Sequence, residues 1–378
     1  MKYFDYAATC PLSLDAAEVY LKTATDYFGN ANSLHDVGGQ AFALLENCRE
    51  EFARMLGVDK RGIFFTSGGS ESNFLAIEAL LSLGKEKGNH IITGIAEHSS
   101  IHSSLKRLES EGYTITYLSL QSDGLLSINE LIQSIRPDTA LIAIQHINSE
   151  IGTIQPIDSI AKICKENNIY FHSDFVQSFG KIEHKHLNVH LDSFSFSGHK
   201  IYGPKGVGGV YINPSIRWKP FLPGSSHEKG LRPGTLNVPG IAAMTVAAQK
   251  ATEQLSVNII KYRECRDLFL KSIQPIKQWS IIHEAPVEFQ YPGIIGLRIL
   301  GIEGQLLMLE LNRLGYAIST GSACQSGMQS PSKTMIALGL EGKDAKEFFR
   351  ISFGQNTDME DVKKLGDSIV NLVHSLKQ

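Results

Sequence analysis

The sequence predicts an α/β protein, with a large, mostly parallel sheet flanked by helices and a smaller α+β region after it. Three observations carry this expectation. Between about residues 60 and 215, short β-rich runs alternate with longer helical patterns, the rhythm of strands joined by crossover helices. Several of those runs are apolar on both faces, as strands buried inside a parallel sheet are. Beyond a stretch rich in Gly, Pro and Ser, Phe221–Gly240, the rhythm changes to β-α-β-β-α. The 378 residues are enough for two cores. We place the larger domain at 14–255 and the smaller at 1–13 together with 256–378.

The elements follow in order. Strands are expected at Gly62–Thr66, His90–Thr93, Thr114–Leu118, Thr139–Gln145, Ile169–His172, Ser193–Phe196 and Gly208–Ile212. A helical run at Phe74–Leu83 follows the first strand. The Phe221–Gly240 stretch reads as a long loop, and loops of that length in compact domains usually serve function. Pro239 opens a helix running past Ala248, at a position where proline is tolerated. In the second region Gly293–Ile299 reads as a strand, Gly304–Arg313 as a helix stopped at Gly315, and Ala317–Thr320 and Phe348–Phe353 as further strands. Thr357 and Glu360 have the spacing of a capping box for the last helix.

Bulk composition excludes several classes of function. Lys and Arg number 36 against 39 Asp and Glu, a net charge of -3, which gives no electrostatic case for nucleic acid or an anionic membrane. No run approaches the roughly 18 apolar residues of a membrane span. The first residues lack a basic segment followed by an apolar one, so a cytoplasmic location is expected. The cysteines Cys10, Cys48, Cys164, Cys265 and Cys324 are odd in number and widely scattered, which fits a reducing compartment. None are spaced as CxxC, and no metal site is expected.

Chemistry is concentrated where strands end, the edge at which open α/β sheets bind ligands. Ser193-Phe194-Ser195-Phe196-Ser197-Gly198-His199-Lys200 delivers Lys200 from an alternating strand into a crowded loop. Burial lowers a lysine's pKa and frees its lone pair for Schiff-base chemistry, although a phosphate-binding or solvated lysine is also open. A Walker loop is ruled out by Phe194, His199 and Ile201 at its required positions. Thr66-Ser67-Gly68-Gly69-Ser70 turns into a helix and suits either a phosphate or a plain N-cap. Glu97-His98 offers a histidine that stacks on a ring, moves protons or merely satisfies its loop. Asn148-Ser149-Glu150-Ile151-Gly152 is a polar turn for a ligand or a cap. Asp174 follows an apolar strand 26 positions before Lys200. An acid and a lysine so placed suit pyridoxal phosphate, the acid on the ring nitrogen and the lysine on the aldehyde, while a helix-capping Asp is the plainer alternative. Cys324 lies among small polar residues in Ser319–Gly327, where a thiol needs a base or cation to become a thiolate. Arg350 alternates with apolar residues, and its fork suits a carboxylate.

Together these residues resemble the NifS/IscS-type cysteine desulfurases, in the class V aminotransferase group of fold-type I pyridoxal phosphate enzymes. The matches run from Tyr3-Phe4-Asp5-Tyr6-Ala7-Ala8-Thr9 to Arg350-Ile351-Ser352-Phe353-Gly354, with Ser197–Gly206 and Ser322-Ala323-Cys324 the most specific. The resemblance implies a fold-type I architecture and conversion of L-cysteine to L-alanine, with sulfane sulfur left on Cys324. It implies that Lys200 holds the cofactor, Asp174 pairs with its ring nitrogen, Gln177 contacts its phenolic oxygen, and His98 stacks on the ring and assists proton transfer. Gly69, Ser70, Ser197 and His199 would bind the phosphate. Thr235 would reach the cofactor of the second subunit of a homodimer. Asn32 and Arg350 would hold the cysteine carboxylate. Ser149 stands where the family has a second Asn, so Asn148 or Ser149 would make the ring contact. Phe175 and Pro233 replace a small residue and a serine. A sulfur-acceptor protein, as in iron–sulfur cluster assembly, would be the partner. Selenocysteine lyase or aminotransferase activity on the same scaffold is the nearest alternative, and a non-catalytic sulfur carrier is one from another class.

Overall fold

The structure, a computed structural model, describes residues 1–83, 88–184, 191–321 and 331–377. After a short strand β1 (Lys2–Tyr3) come helices α1 (Leu14–Asp26) and α2 (Asp36–Leu56). The main sheet is built from β2 (Ile63–Thr66), β3 (His90–Gly94), β4 (Thr114–Leu118), β5 (Thr139–Ala143), β6 (Tyr170–Asp174), β7 (Ser193–Ser197) and β8 (Gly208–Ile212). Its connections carry α3 (Gly69–Leu81), α4 (Ser99–Ser110), α5 (Ile128–Ser134) and α6 (Ile157–Glu166). The strand order is β2-β8-β7-β6-β5-β3-β4. Neighbours from β7 to β4 pair in parallel, and β8 is antiparallel to both β7 and β2. Strand β2 therefore points the same way as β7. The C-terminal ends of β2, β3, β5, β6 and β7 share one edge of the sheet, and every predicted polar segment leaves from that edge.

Strand β7 shows how sequence becomes packing. Phe194 and Phe196 point to one face, where Phe194 stacks on Phe175 and Phe196 on Phe52, with ring centroids 4.9 and 5.0 Å apart. The other face is also buried. It carries Ser193, which pairs with the His172 ring (2.8 Å), and Ser195, which donates to the Asn73 side chain. Alternation here separates an aromatic face from a hydrogen-bonded one, not core from water.

Helix α7 (Val238–Glu253) opens on an Asn237 cap, with Pro239 in its first turn, and packs into the same core. A second core gathers Phe4, the middle and end of α8 (Leu255–Ser272), β9 (Ser280–His283), β10 (Ile294–Ile299), α9 (Gly304–Arg313), β11 (Tyr316–Ala317), and, past α10 (Lys333–Ala337) and α11 (Gly342–Lys346), β12 (Phe348–Ser352) and α12 (Met359–Lys377). Strands β12-β10-β9 form an antiparallel sheet, and β1 pairs in parallel with β11.

Several boundaries differ from the sequence expectation for local reasons. Helix α3 begins at Gly69, five residues before the expected Phe74, because small residues carry its first turn close to the sheet. The strand expected at Ala317–Thr320 divides between two partners: Tyr316–Ala317 pairs with β1, and Ser319 bridges to Arg350. The last helix is capped by Asp358, whose carboxylate accepts from the N–H groups of Glu360 (2.8 Å) and Asp361 (3.2 Å). Thr357 instead accepts from Gly354 N–H (2.9 Å), so the Thr357–Glu360 capping box does not form. Among the described residues no helix is long and apolar enough to cross a membrane.

A buried ion pair pins the long 221–240 loop. Arg49 of α2 makes a two-pronged contact with Glu228 (2.7 and 3.0 Å) and also donates to the Ile63 carbonyl (2.6 Å). Glu228 accepts from Phe65 N–H (2.7 Å) while its own backbone sits at φ 45°, a left-handed conformation that a non-glycine residue holds at a cost. Arg49→Met should strand that carboxylate in the interior and lower stability by about 3–5 kcal/mol, read as a lower urea midpoint. Adding Glu228→Gln to it should restore part of the loss. An unchanged midpoint in the single variant would contradict this account.

Candidate active site

The shared C-terminal edge opens into a cleft of about 850 Å³, its mouth included, lined by Lys200, Asp174, His98, Gln177, Ser197 and Arg350 among others. Strand ends place all but Arg350, which comes from the middle of β12. Lys200 lies in the turn after β7 and donates from Nζ to the Ala7 carbonyl (2.6 Å). Burial pushes its amine down to about 7, helped by the positive charges of Lys181 and Arg350. Far more of this amine is then neutral near pH 7 than of an exposed lysine, which is almost wholly protonated.

Asp174 ends β6. Its Oδ2 accepts from Asn73 Nδ2 (2.8 Å) and its Oδ1 from Val176 N–H (2.8 Å). Asn73 is fixed in turn, since its Oδ1 meets His172 Nε2 (3.0 Å) and the Ser195 hydroxyl. The carboxylate is thus oriented by a buried network that no local motif reveals. His98 caps α4, its Nδ1 facing Ser100 N–H (3.2 Å) and Ser100 Oγ (2.8 Å). Burial lowers its pKa, against the opposing pull of Asp174. Its neighbour Glu97 is buried under the sheet edge, both carboxylate oxygens accepting from Gln145 N–H (3.0 and 2.9 Å), and burial raises its carboxyl well above the usual range.

The residues present fit pyridoxal phosphate. Ser197 Oγ is buried with no hydrogen-bond partner among the described residues, and it lines the cleft beside Gly69 and Ser70. Those two residues open α3, and first-turn N–H groups have no intrahelical acceptor. A Cβ on Gly69 would lie 2.5 Å from Val176 Cγ2, so the backbone comes close to the cleft only because this residue is glycine. His199 also lines the cleft, with Nδ1 at 3.1 Å from Thr9 Oγ1 and a pKa lowered to about 4, chiefly by burial and then by Lys200. A neutral imidazole there can donate to an oxyanion through an N–H.

Arg350 is 2% exposed, with its guanidinium bonded to Asp5 (2.5 Å) and the Ser149 carbonyl (2.8 Å), while its buried Nε has no partner among the described residues. Of the two residues proposed for the ring contact, Ser149 lines the cleft and Asn148 does not. The Asn148 side chain is taken up by the turn, accepting from Glu150 N–H (2.9 Å) and Ile151 N–H (3.0 Å) and donating to Thr334 Oγ1 (3.2 Å). Asn32 does not join Arg350 in this chain either. It is exposed on a surface turn, where its N–H bonds Asn30 Oδ1 (3.0 Å), and lines a separate depression beside Arg49 and Glu228. Thr235 is exposed and off the cleft. Cys324 lies outside the described residues. Sequence reasoning missed Asn73 and Asp5, whose partners are remote in the chain, and Lys181, whose partner Gln177 is 4 positions away but carries no motif.

The comparisons agree with this arrangement. The family described as Aminotransferase class-V matches residues 2–365. The protein of Bacillus subtilis (strain 168) named NifS is 45% identical over 97% of this chain and 93% of its own length. Cysteine desulfurase IscS of Neisseria meningitidis serogroup C (strain 053442) is 36% identical over 100% of this chain and 93% of its own. A solved structure titled NifS-like protein superposes with a TM-score of 0.91 at 30% identity, covering 99% of both chains. An α/β fold with one lysine and one aspartate meeting at the sheet edge, and relatives aligned almost end to end, lead to one conclusion: the chain belongs to the class-V aminotransferase family, among its NifS/IscS-type cysteine desulfurases.

Proposed function

We propose that the protein is a pyridoxal phosphate-dependent L-cysteine desulfurase that forms L-alanine and leaves the substrate sulfur as a persulfide on Cys324. The observation that supports it most is the gathering of Lys200, Asp174, His98 and Arg350 around one cleft that also fits the cofactor's phosphate. When bound, pyridoxal phosphate supplies an aldehyde carbon that links to amines and a ring that takes up an electron pair from the substrate's α-carbon. Asp174, held by Asn73 and Val176, presents a carboxylate for the ring-nitrogen proton. Gln177 would contact the phenolic oxygen, and His98 would lie against the ring. Ser197, His199 and the Gly69–Ser70 N–H groups would take the phosphate. The spare Arg350 Nε–H and the cleft-facing Ser149 receive the substrate carboxylate end. Lys200 Nζ, its pKa lowered to about 7 chiefly by burial, removes the α-proton and returns one later.

The Cβ–S bond of cysteine breaks with its electron pair left on carbon, which takes a proton and becomes the alanine methyl. The sulfur, without that pair, bonds to the Cys324 thiolate. The four cysteines that the structure describes are buried, and burial raises each thiol, Cys265 to about 11. None of the four is a ready thiolate, which leaves Cys324 as the nucleophile. The persulfide then passes to an acceptor protein, of the kind that iron–sulfur cluster assembly requires. The exposed Thr235 loop suits a homodimer with shared sites. The fold divides between α7 and α8, which belong to different cores, with a cytoplasmic location for the whole.

Purified protein given L-cysteine should form alanine and sulfane sulfur in equal amounts. The Cys324 peptide should gain one sulfur by mass spectrometry after brief exposure. Sulfide released at full rate with no added sulfur on any cysteine would move the assignment to a lyase of the same fold.

A further inference from the structure

Behind the cleft lies a smaller cavity, lined by Cys10, Lys181, Lys200, Tyr202 and Tyr262 among others. Lys181 lines this smaller cavity, and Ala7 and Lys200 line both. No acidic side chain among the described residues lies within ion-pair distance of Lys181, whose Nζ donates to Gln177 Oε1. Gln177 Nε2 donates to the Ala7 carbonyl (2.7 Å), and Lys200 Nζ donates to that same carbonyl (2.6 Å). One chain of hydrogen bonds thus joins the two lysines: Lys181 to Gln177 to Ala7, with Lys200 meeting it at Ala7.

The chemistry of the ends fixes the middle. An ammonium only donates and a backbone carbonyl only accepts. The Gln177 amide must therefore turn its oxygen to Lys181 and its NH₂ to Ala7. With two N–H groups on that nitrogen and one taken by Ala7, the amide's free edge toward the cleft is a donor. We propose that Lys181 is a positioning residue of this site, which locks the Gln177 amide with its NH₂ edge toward the cleft and holds a second positive charge against Lys200. The inference rests on the desulfurase reading for what the cleft contains. A donor edge suits an anionic phenolic oxygen on the cofactor, and an oxygen edge would repel it.

The charge works in the same direction. Lys181 is the largest electrostatic influence that lowers Lys200, and burial with the Arg350 charge keeps Lys181 itself at about 8. The groups facing this pair come from three segments: Cys10 and Asp5 from the N-terminal stretch, both raising Lys200; Arg350 from β12, lowering both lysines; and His199 next to Lys200. Neither Cys10 nor Asp5 outweighs burial and the two cations.

The test compares Lys181→Met and Lys181→Gln, which remove the charge, with Lys181→Arg, which keeps a cationic donor. In the holoenzyme, the pH midpoint of the absorbance of the Lys200-linked cofactor should rise by about half a unit or more in the neutral variants, a threefold or larger change in proton affinity. Lys181→Arg should restore the wild-type midpoint. Neutral variants that titrate like wild type, or an arginine variant displaced as far as the methionine one, would overturn the proposal. If neither neutral variant folds, the wild-type full chain before cofactor loading decides, by pH-dependent acetylation read on each lysine peptide. Lys200 should become reactive at lower pH than Lys181, and the reverse order would refute the charge argument. Should the protein take up no cofactor at all, the desulfurase reading fails, yet the order of the two lysines still tests this inference.

Discussion

Lys200→Ala should reduce alanine formation from cysteine by roughly 10³-fold or more, because one residue supplies both the covalent anchor and the proton shuttle. The wild-type protein should be yellow once loaded, and borohydride should fix the cofactor to the Lys200 peptide. The variant should still bind the cofactor, since Ser197, His199 and the α3 N-terminus are untouched, but borohydride should leave nothing on the 198–206 segment. Lys200→Arg is the informative companion. It preserves the charge beside Ala7 and fills the space, yet a guanidinium stays protonated and is a poor nucleophile. It should be as inactive as the alanine variant. Turnover near wild type in either variant would remove Lys200 from the chemistry. Cofactor fixed instead to Lys181, on the same hydrogen-bond chain, would show that the second amine can reach the cleft when the first is gone.

Much of the fold was legible because burial on both faces leaves an apolar signature. Strands β4 and β8 fall where the pattern puts them, and α9 runs over its expected span. The catalytic edge was legible for the same reason: a polar residue ending an apolar strand stands out, as Asp174 and Lys200 do. What stayed hidden depends on contacts that sequence distance conceals. Asn73 orients Asp174 across 101 positions, and Asp5 holds Arg350 across 345. An Asn in a polar turn can serve a ligand or its own backbone, and only the neighbouring N–H groups of Glu150 and Ile151 show that the Asn148 oxygen is taken up locally. Asn32 lies on an exposed turn and does not line the cleft with Arg350 in this chain. The strand near Ala317 was overlong because two different partners share it.

Cys324→Ser should separate cofactor chemistry from sulfur transfer. The Cβ–S bond can break only if something accepts the sulfur without its electron pair, and a thiolate does this by forming an S–S bond. A serine hydroxyl is similar in size, but almost none of it is ionised at neutral pH, and oxygen forms no comparable bond to sulfur. Steps before that point need only the cleft. Lys200, Asp174 and Arg350 are unchanged in the variant, so it should bind cysteine and change colour with near-wild-type affinity. Alanine formation should fall by about 10²–10⁴-fold, the range expected when the attacking group of a covalent step is lost. The buried thiols of Cys10, Cys48, Cys164 and Cys265 should not rescue it, because burial keeps each protonated. Mass spectrometry should find the added sulfur on wild type and on no cysteine peptide of the variant. Two outcomes would count against the mechanism. Persulfide on the Cys10 peptide would place the acceptor behind Lys200, in the smaller cavity. Alanine made at the wild-type rate with free sulfide as co-product would mean that the sulfur leaves without a protein thiol, and the cleft would then be that of a lyase.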